Sequence, residues 1–163
     1  MSFSLISYHL SPDCMRISNP SAFHDYTISE RFEAGVKLSG PEVKSVKGGH
    51  LSLKGSFVRL VGTEMYLVNA TVSPYTFASV VGYDPRRTRK LLLHKREIMS
   101  LKGKLDTAPL TLIPISIYTR HGIIKLEVGL AKGKKQFEKR ESIKKRDSER
   151  EIRRFYRGKL TEN

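Results

Sequence analysis

Apolar and polar side chains alternate over residues 26–38, and this repeat limits the folds open to the chain. Most even positions are apolar, whereas most odd positions carry polar or charged side chains. A repeat of two residues is that of a β-strand with one buried face. The pattern therefore predicts a strand whose inward side chains are Tyr26, Ile28, Phe32, Ala34, Val36 and Leu38.

Two β-hairpins are predicted further along the chain. The first joins residues 56–61 to residues 65–72 through the short segment GTE. The second joins residues 110–118 to residues 123–130, and its turn contains Gly122. Short runs of apolar and β-branched residues that are separated by a glycine turn are typical of antiparallel strand pairs.

Two short helices complete the predicted body. The segment SGPEVKSVKGG has a proline at a position typical of the first helical turn and ends with two glycines. In a second segment, which begins at His94, Ile98, Leu101 and Leu105 recur at helical spacing. Five or six strands and two short helices are too few for a sandwich of two full sheets. We therefore predict a mainly β fold, a small closed barrel of OB-like size.

Basic residues outnumber acidic residues by 30 to 16 in this chain of 163 residues, which gives a formal net charge of +14. The excess lies in two segments. Residues 84–104 hold eight basic and two acidic side chains, and residues 132–163 hold 13 basic and six acidic ones. Such an excess requires a polyanionic partner, which is a nucleic acid, an anionic membrane surface or an acidic protein. An enzyme that acts on small metabolites is disfavoured.

The first basic segment combines the loop DPRRTRK with His94, Lys95 and Arg96 at the start of the predicted helix. Positive charge is unfavourable at a helix N-terminus because of the helix dipole. A bound anion would relieve this conflict, and arginine side chains can bind a phosphate through two parallel hydrogen bonds. We therefore predict that this segment contacts the phosphate backbone of a nucleic acid.

The second basic segment, residues 132–163, holds six large apolar side chains, which are too few to bury a face along its length. Phe137 lies among cations in KKQFEKR, and an aromatic ring between positive charges is typical of RNA recognition. Pairs of opposite charge at i,i+4 also favour a helix in this segment. We predict a tail that is disordered when free and helical on its partner.

Sequence motifs of catalysis and metal binding are missing. The chain has no GxxxxGKS or GxxxxGKT phosphate loop, no GxGxxG and no HExxH, and its five histidines are too far apart to suggest a ligand set. Cys14 is the only cysteine, which excludes an intrachain disulfide and favours a reducing compartment. No apolar run approaches the roughly 18 residues of a membrane span, and the start of the chain lacks the features of a signal peptide. We expect a cytoplasmic protein that is not an enzyme, has no cofactor or metal, and binds no membrane.

Four segments resemble a single bacterial family: SNPSAFHDYTISERFEAG, PEVKSVKGG, YDPRRTRKLLLHKRE and GLAKGKKQFEKRESIKKRD. They are similar to small protein B (SmpB), the SsrA-binding protein family of trans-translation, and the resemblance extends from about Asn19 to Arg154. It implies a six-stranded antiparallel OB-like barrel with two or three helices. It also implies a protein that binds the tRNA-like domain of transfer-messenger RNA (tmRNA, or SsrA RNA), delivers it to stalled ribosomes and completes a tRNA mimic there.

The basic loop and the resemblance together indicate two groups of site residues. The predicted RNA-binding residues are Asn19, His24, Glu33, Arg87, Arg89, Lys90, Leu92, His94, Lys95 and Arg96. The resemblance implies that the tail enters the decoding site and mRNA channel of the small ribosomal subunit. The tail residues at matching positions are Lys134, Lys135, Phe137, Glu138, Lys139, Arg140, Lys144, Lys145 and Arg146.

The chain is expected to have three parts: a poorly ordered N-terminal extension (residues 1–18), an RNA-binding barrel (residues 19–131) and the basic tail (residues 132–163). Residues 1–14 are either an unstructured extension or lie upstream of a true start at Met15. We expect a monomer that binds RNA 1:1. The alternative function is that of a structural ribosomal protein with a similar barrel. A third, an RNA-processing enzyme, is disfavoured by the missing catalytic motifs.

Overall fold

The computed structural model describes residues 15–78 and 81–135. Within these residues the chain forms three helices and nine strands. In chain order the elements are β1 (Arg16–Ser18), α1 (Pro20–Asp25), β2 (Tyr26–Val36), α2 (Gly40–Lys47), β3 (Leu51–Ser52), β4 (Phe57–Val61), β5 (Glu64–Val68), β6 (Thr71–Val72), β7 (Arg89–Leu92), α3 (Lys95–Thr107), β8 (Thr111–Arg120) and β9 (Ile123–Gly133). In this part of the chain, no helix is both long enough and apolar enough to cross a membrane.

The large sheet closes on itself. Its strands follow the order β1-β8-β4-β5-β7-β2-β9, and β9 pairs again with β8. Six strands therefore form a closed ring, and β1 extends the edge of β8, where Ile17 lies opposite Ile117. The strand pairs of the ring are antiparallel. This arrangement confirms the predicted mainly β fold with a six-stranded antiparallel barrel. Strands β3 and β6 form a separate two-stranded sheet.

The main core fills the inside of the ring. Each of the six strands contributes buried apolar side chains, among them Ala34, Val58, Met65, Leu91, Leu112 and Leu126. Helix α2 adds Val46, and α3 adds Ile98 and Leu101. These contacts explain why the two amphipathic helices lie on the barrel, since most helical stability in proteins comes from packing of an apolar face.

A smaller cluster lies on the outer face of the barrel under α1. Ala22 of α1 packs there with Ile113 and Ala131. Ile113 and Ala131 each follow a core residue in their strands, so the period of two places them on the opposite face of the sheet. This second cluster holds α1 against the outside of the barrel, at the start of β2.

Most of the predicted elements are present. The alternating segment is β2, the two helices are α2 and α3, and the second hairpin is formed by β8 and β9. The first hairpin is formed by β4 and β5, but its second arm ends earlier than predicted. Asn69 has a positive φ of 61°, which interrupts the extended backbone and separates β6 from β5.

Two boundaries of the predicted parts are wrong. Residues 16–18, expected to be poorly ordered, form β1 and pair with β8. Strand β9 continues through Gly133, so residues 132 and 133 belong to the barrel and not to the tail. The short elements α1 and β7 were also not predicted. Residues 1–14 and 136–163 lie outside the described residues, and the predicted disorder and helix of the tail fall there.

Candidate nucleic-acid interface

Strand β2 connects the two ends of the predicted RNA-binding surface. It starts directly after α1, where Tyr26 pairs with Gly133 of β9. It ends beside β7, where Gly35 pairs with Leu92. The predicted residues near α1 and at the start of the tail therefore lie at one end of this strand, and those of β7 and α3 lie at the other.

At the α3 end, the structure brings five predicted residues together. Glu33 lies two residues from Gly35 on the same face of β2, which makes it a diagonal neighbour of Leu92. Leu92 is 53% exposed although its side chain is large and apolar. Leu93 and the N-cap residue His94 lie between Leu92 and Lys95, the first residue of α3. His94, Lys95 and Arg96 are all exposed.

Helix α3 supplies its own negative charge at this N-terminus. The backbone N–H of His94 donates to Oε2 of Glu97 at 2.9 Å. An acidic side chain in the first turn interacts favourably with the helix dipole. Glu97 therefore offsets part of the unfavourable interaction between the dipole and the cations at this N-terminus. In the part of the chain that the structure describes, neither Lys95 nor Arg96 forms a salt bridge. Both cations remain available to an anion.

The predicted phosphate contact through Arg89 is wrong, because its side chain is fully buried. Its Nε donates to Oε1 of Glu42 at 3.0 Å. Its two terminal nitrogens donate to three backbone carbonyls, those of Ala70 at 2.7 Å, Arg87 at 2.9 Å and Pro85 at 3.0 Å. Arg89 therefore ties the basic loop to the barrel and does not present its charge to a ligand.

Glu42 on α2 is the anion that holds this loop, and its side chain is buried. It forms an ion pair with Arg89 and accepts a hydrogen bond from Nε of Arg87 at 2.8 Å. Burial alone would raise the pKa of the Glu42 carboxyl. Hydrogen bonds from Arg87 and from the Ser39 backbone, together with the charge of Arg89, outweigh that effect and lower the pKa to about 2. Glu42 is thus ionised at neutral pH, and Arg87, although 39% of its side chain is exposed, is already paired within the fold.

Lys90 on β7 is also paired. Its Nζ contacts Glu64, which in turn accepts a hydrogen bond from the Tyr66 hydroxyl. The hydrogen bond to Glu64 raises the pKa of Lys90, and the hydrogen bonds from Lys90 and Tyr66 lower the pKa of Glu64. The predicted cation is partly exposed, but an anionic ligand would compete with Glu64 for it.

At the α1 end, the predicted RNA-binding residue Asn19 is buried, with 3% of the residue exposed. Its side chain caps α1 by accepting from the Ser21 N–H at 3.3 Å, and it donates to the Pro114 carbonyl at 2.9 Å. Asn19 therefore joins α1 to β8. His24 is half-buried in the last turn of α1, where its Nδ1 lies 3.0 Å from Oδ1 of Asp25.

Glu33 is exposed on the outer face of the barrel, where it contacts one hydrogen-bond donor and one cation. The Tyr118 hydroxyl donates to it, and Nζ of Lys125 lies 3.2 Å from its Oε1. The hydrogen bond from Tyr118 lowers the pKa of Glu33, with a smaller contribution from Lys125 and an opposing effect of burial. Glu33 is therefore a carboxylate acceptor held in a defined position at neutral pH.

The start of the tail contacts α1. The backbone N–H of Lys134 donates to the Asp25 carbonyl at 2.9 Å, and its Nζ donates to the Phe23 carbonyl at 2.9 Å. Lys135 is exposed. The other predicted tail residues, from Phe137 to Arg146, lie outside the described residues.

Sequence reasoning did not select Arg16, Arg31 or Glu127, which the fold brings together on the outer face of the barrel. Arg31 and Glu127 occupy polar positions of two alternating strands, and this was a visible signal of exposure. Their proximity depends on the register of β2 against β9, in which Glu33 lies opposite Glu127. The register itself is not visible in the spacing of residues.

Comparison with known proteins agrees with this geometry. A family model described as SmpB protein matches residues 16–158. The SsrA-binding protein of Persephonella marina is 48% identical over 143 residues, which cover 88% of this chain and 94% of that protein. The SsrA-binding protein of Caldicellulosiruptor saccharolyticus is 52% identical over 136 residues, which cover 83% of this chain and 86% of that protein.

A solved structure supports the same assignment. A chain from "tmRNA-SmpB: a journey to the center of the bacterial ribosome" is 47% identical to this one, with a TM-score of 0.62. The match covers 74% of this chain and 85% of that chain. The resemblance seen in the four sequence segments is confirmed by the family model, by the relatives and by this fold. The chain therefore belongs to the SmpB protein family.

Proposed function

We propose that this protein binds the tRNA-like domain of SsrA RNA (tmRNA) and delivers that RNA to stalled ribosomes in trans-translation. The observation that carries the proposal is the exposed group formed by Glu33, Leu92 and the first turn of α3. It combines two cations that form no salt bridge with the described residues, a large apolar side chain and an ionised carboxylate. The cations can bind phosphates, while the carboxylate can accept hydrogen bonds from base or ribose donors. Membership of a family whose relatives are named SsrA-binding proteins supports this choice of RNA.

In this proposal the barrel and the tail have different partners. The barrel grips the folded tRNA-like domain, and the two together mimic a tRNA. The tail, from Lys134 onward, enters the decoding site and the empty mRNA channel of the small ribosomal subunit. The protein acts as an RNA-binding factor of the cytoplasm and not as an enzyme.

Salt-dependent RNA binding tests the barrel. The double variant Lys95→Gln/Arg96→Gln should bind the tRNA-like domain more weakly, and the slope of log affinity against log salt should fall by about 0.9 for each phosphate that is no longer neutralised. The matched control is Lys54→Gln/Arg59→Gln. It removes the same charge from two exposed positions, one on β4 and one on the segment that precedes it, neither of which belongs to the first turn of α3. An unchanged slope in the first variant would remove α3 from the interface. Equal decreases in both variants would mean that binding follows total charge.

Truncation tests the tail. A chain that ends at Lys135 keeps β9 complete and should bind the tRNA-like domain nearly as the full chain does, yet it should fail to support peptide tagging on stalled ribosomes. Loss of RNA binding with tagging intact would contradict the division of roles. Sedimentation separates the alternative function, since a structural ribosomal protein would be equimolar with ribosomes and a rescue factor would be substoichiometric.

A further inference from the structure

Three charged residues from three strands meet on the outer face of the barrel, and we call them the Arg16–Glu127–Arg31 cluster. Nη2 of Arg16, on β1, donates to Oε2 of Glu127, on β9, at 2.7 Å. Nη1 of Arg31, on β2, lies 3.5 Å from the other carboxylate oxygen of Glu127. A single carboxylate therefore holds two guanidinium groups side by side.

Each guanidinium also lies over an aromatic ring. The central carbon of the Arg16 guanidinium lies 5.6 Å from the centre of the Tyr118 ring, and that of Arg31 lies 5.2 Å from the centre of the Phe23 ring. Such cation–π contacts restrict the orientation of a long side chain. The cluster is thus ordered by ion pairs on one side and by rings on the other.

The carboxylate is sheltered, whereas the two guanidiniums are open to solvent. The Glu127 side chain is 18% exposed, while those of Arg16 and Arg31 are 46% and 53% exposed. Glu127 is further held by the Ser116 hydroxyl, which donates to Oε2 at 2.8 Å. A guanidinium has five N–H donors, and the pair with Glu127 uses one on each arginine. The cluster therefore carries a net positive charge, and within the described residues the other N–H donors of the two guanidiniums have no hydrogen-bond partner.

We propose that Arg16 and Arg31 form a second phosphate-binding site for RNA, separate from the first turn of α3, and that Glu127 is the positioning residue that holds them together. The inference rests on the proposed function. The cluster lies between α1 and Glu33 along β2, so an RNA backbone that crosses it would follow the outer face of the barrel from the start of the tail toward α3. Two adjacent guanidiniums match the negative charge and planar oxygen pairs of phosphate groups. A partner protein with an acidic patch is the competing occupant.

The direction in which one charge substitution changes RNA affinity distinguishes a positioning role of Glu127 from simple electrostatic attraction. Glu127→Gln raises the net charge by one, so attraction alone predicts tighter binding of the tRNA-like domain of SsrA RNA. If Glu127 orders the arginines, that variant should bind about three- to tenfold more weakly. Both arginine side chains would then become ordered only when RNA binds, and the loss of their conformational freedom would reduce the affinity. The matched control is Glu30→Gln, which makes the same charge change at an exposed carboxylate of β2 paired with Lys104. The control should bind as tightly as the wild type or more tightly.

Substitution of the arginines tests the site directly. Arg16→Gln and Arg31→Gln should each reduce the salt slope by about 0.9. Arg16→Lys and Arg31→Lys keep the charge but lose the planar fork, so they should bind more weakly with the slope retained. Circular dichroism establishes whether each variant is folded. If Glu127→Gln does not fold, the lysine variants of the two arginines still test the site.

Two results would overturn the second site: wild-type slopes in both glutamine variants of the arginines, or binding by Glu127→Gln that is as tight as that of Glu30→Gln. Loss of binding to an acidic protein, with RNA binding unchanged, would assign the cluster to a protein partner and contradict the proposal. A wild-type chain with no affinity for SsrA RNA would instead contradict the proposed function itself.

Discussion

Replacing Glu42 with glutamine should destabilise the fold by about 3 kcal/mol at pH 7. The pKa of this carboxyl falls from 4.5 to about 2 on folding. Each unit of difference in pKa between the folded and unfolded states corresponds to about 1.4 kcal/mol of stability. An independent expectation agrees, because removing one partner of a buried ion pair typically costs about 3–5 kcal/mol. Here the substitution would leave the charge of Arg89, which is fully buried, without its anion. The remaining stability should still permit folding, since domains are commonly stable by about 5–15 kcal/mol.

The pH dependence gives this prediction its sign. Because the pKa is lower in the folded state, Glu42 contributes its full stabilisation above pH 4.5 and loses it as the pH falls toward 2. The difference between the wild type and Glu42→Gln should therefore shrink from about 3 kcal/mol at pH 7 to about 1.5 kcal/mol at pH 3. Urea denaturation followed by circular dichroism at both pH values measures it. The chain has no tryptophan, so backbone ellipticity is the better signal.

An exposed ion pair is the matched control. Glu30→Gln breaks the contact with Lys104, in which the two side chains are 51% and 40% exposed, and should change the free energy of unfolding by less than about 1 kcal/mol at either pH. A destabilisation below about 1 kcal/mol in Glu42→Gln, or one that is the same at pH 7 and pH 3, would refute the reasoning. It would mean that the buried arginine needs only a hydrogen-bond acceptor and not a negative charge.

Two further predictions concern the outer face of the barrel. Gly129→Ala should destabilise the protein by about 1–3 kcal/mol, because the added Cβ would lie 3.0 Å from Cδ1 of Ile115 and 3.1 Å from Cγ2 of Ile28; a thermal midpoint equal to that of the wild type would show that these isoleucines move aside. Tyr118→Phe should raise the pKa of Glu33 toward its ordinary value of 4.5, because the hydrogen bond from Tyr118 is the largest cause of its lowering; NMR titration of the Glu33 carboxyl carbon measures this, and an unmoved pKa would assign the lowering to the neighbouring cations.

The sheet shows how far local pattern determines structure here. The alternation over residues 26–38 predicted β2 because a half-buried strand repeats every two residues. Glycine turns and β-branched runs predicted the hairpins for the same local reason. Strands β1 and β7 were missed because they have three and four residues, too few to show a period. Such strands form because a neighbouring strand offers backbone hydrogen bonds.

The candidate site also contains features that local sequence predicts and features that depend on residues far away in the chain. The charged first turn of α3 was visible in the sequence, because a helix start and a cluster of cations are both local features. That Arg89 is buried was not visible, since its partner Glu42 is 47 residues away. The partners of Asn19 were not visible either, since its side chain caps α1 and also donates to the Pro114 carbonyl of β8, which is 95 residues away.

By itself, the sequence determined the β class, the two basic segments and the family, since these follow from local periods, composition and motifs. Only the tertiary structure decided which cations face solvent. Arg16 and Glu127 are 111 residues apart, and closure of the barrel brings them together, whereas Arg89 is taken out of solvent by α2. The physical reason is that the cost of burying a charge depends on the partners around it. Those partners are supplied by strand pairing and helix packing over long separations in the chain.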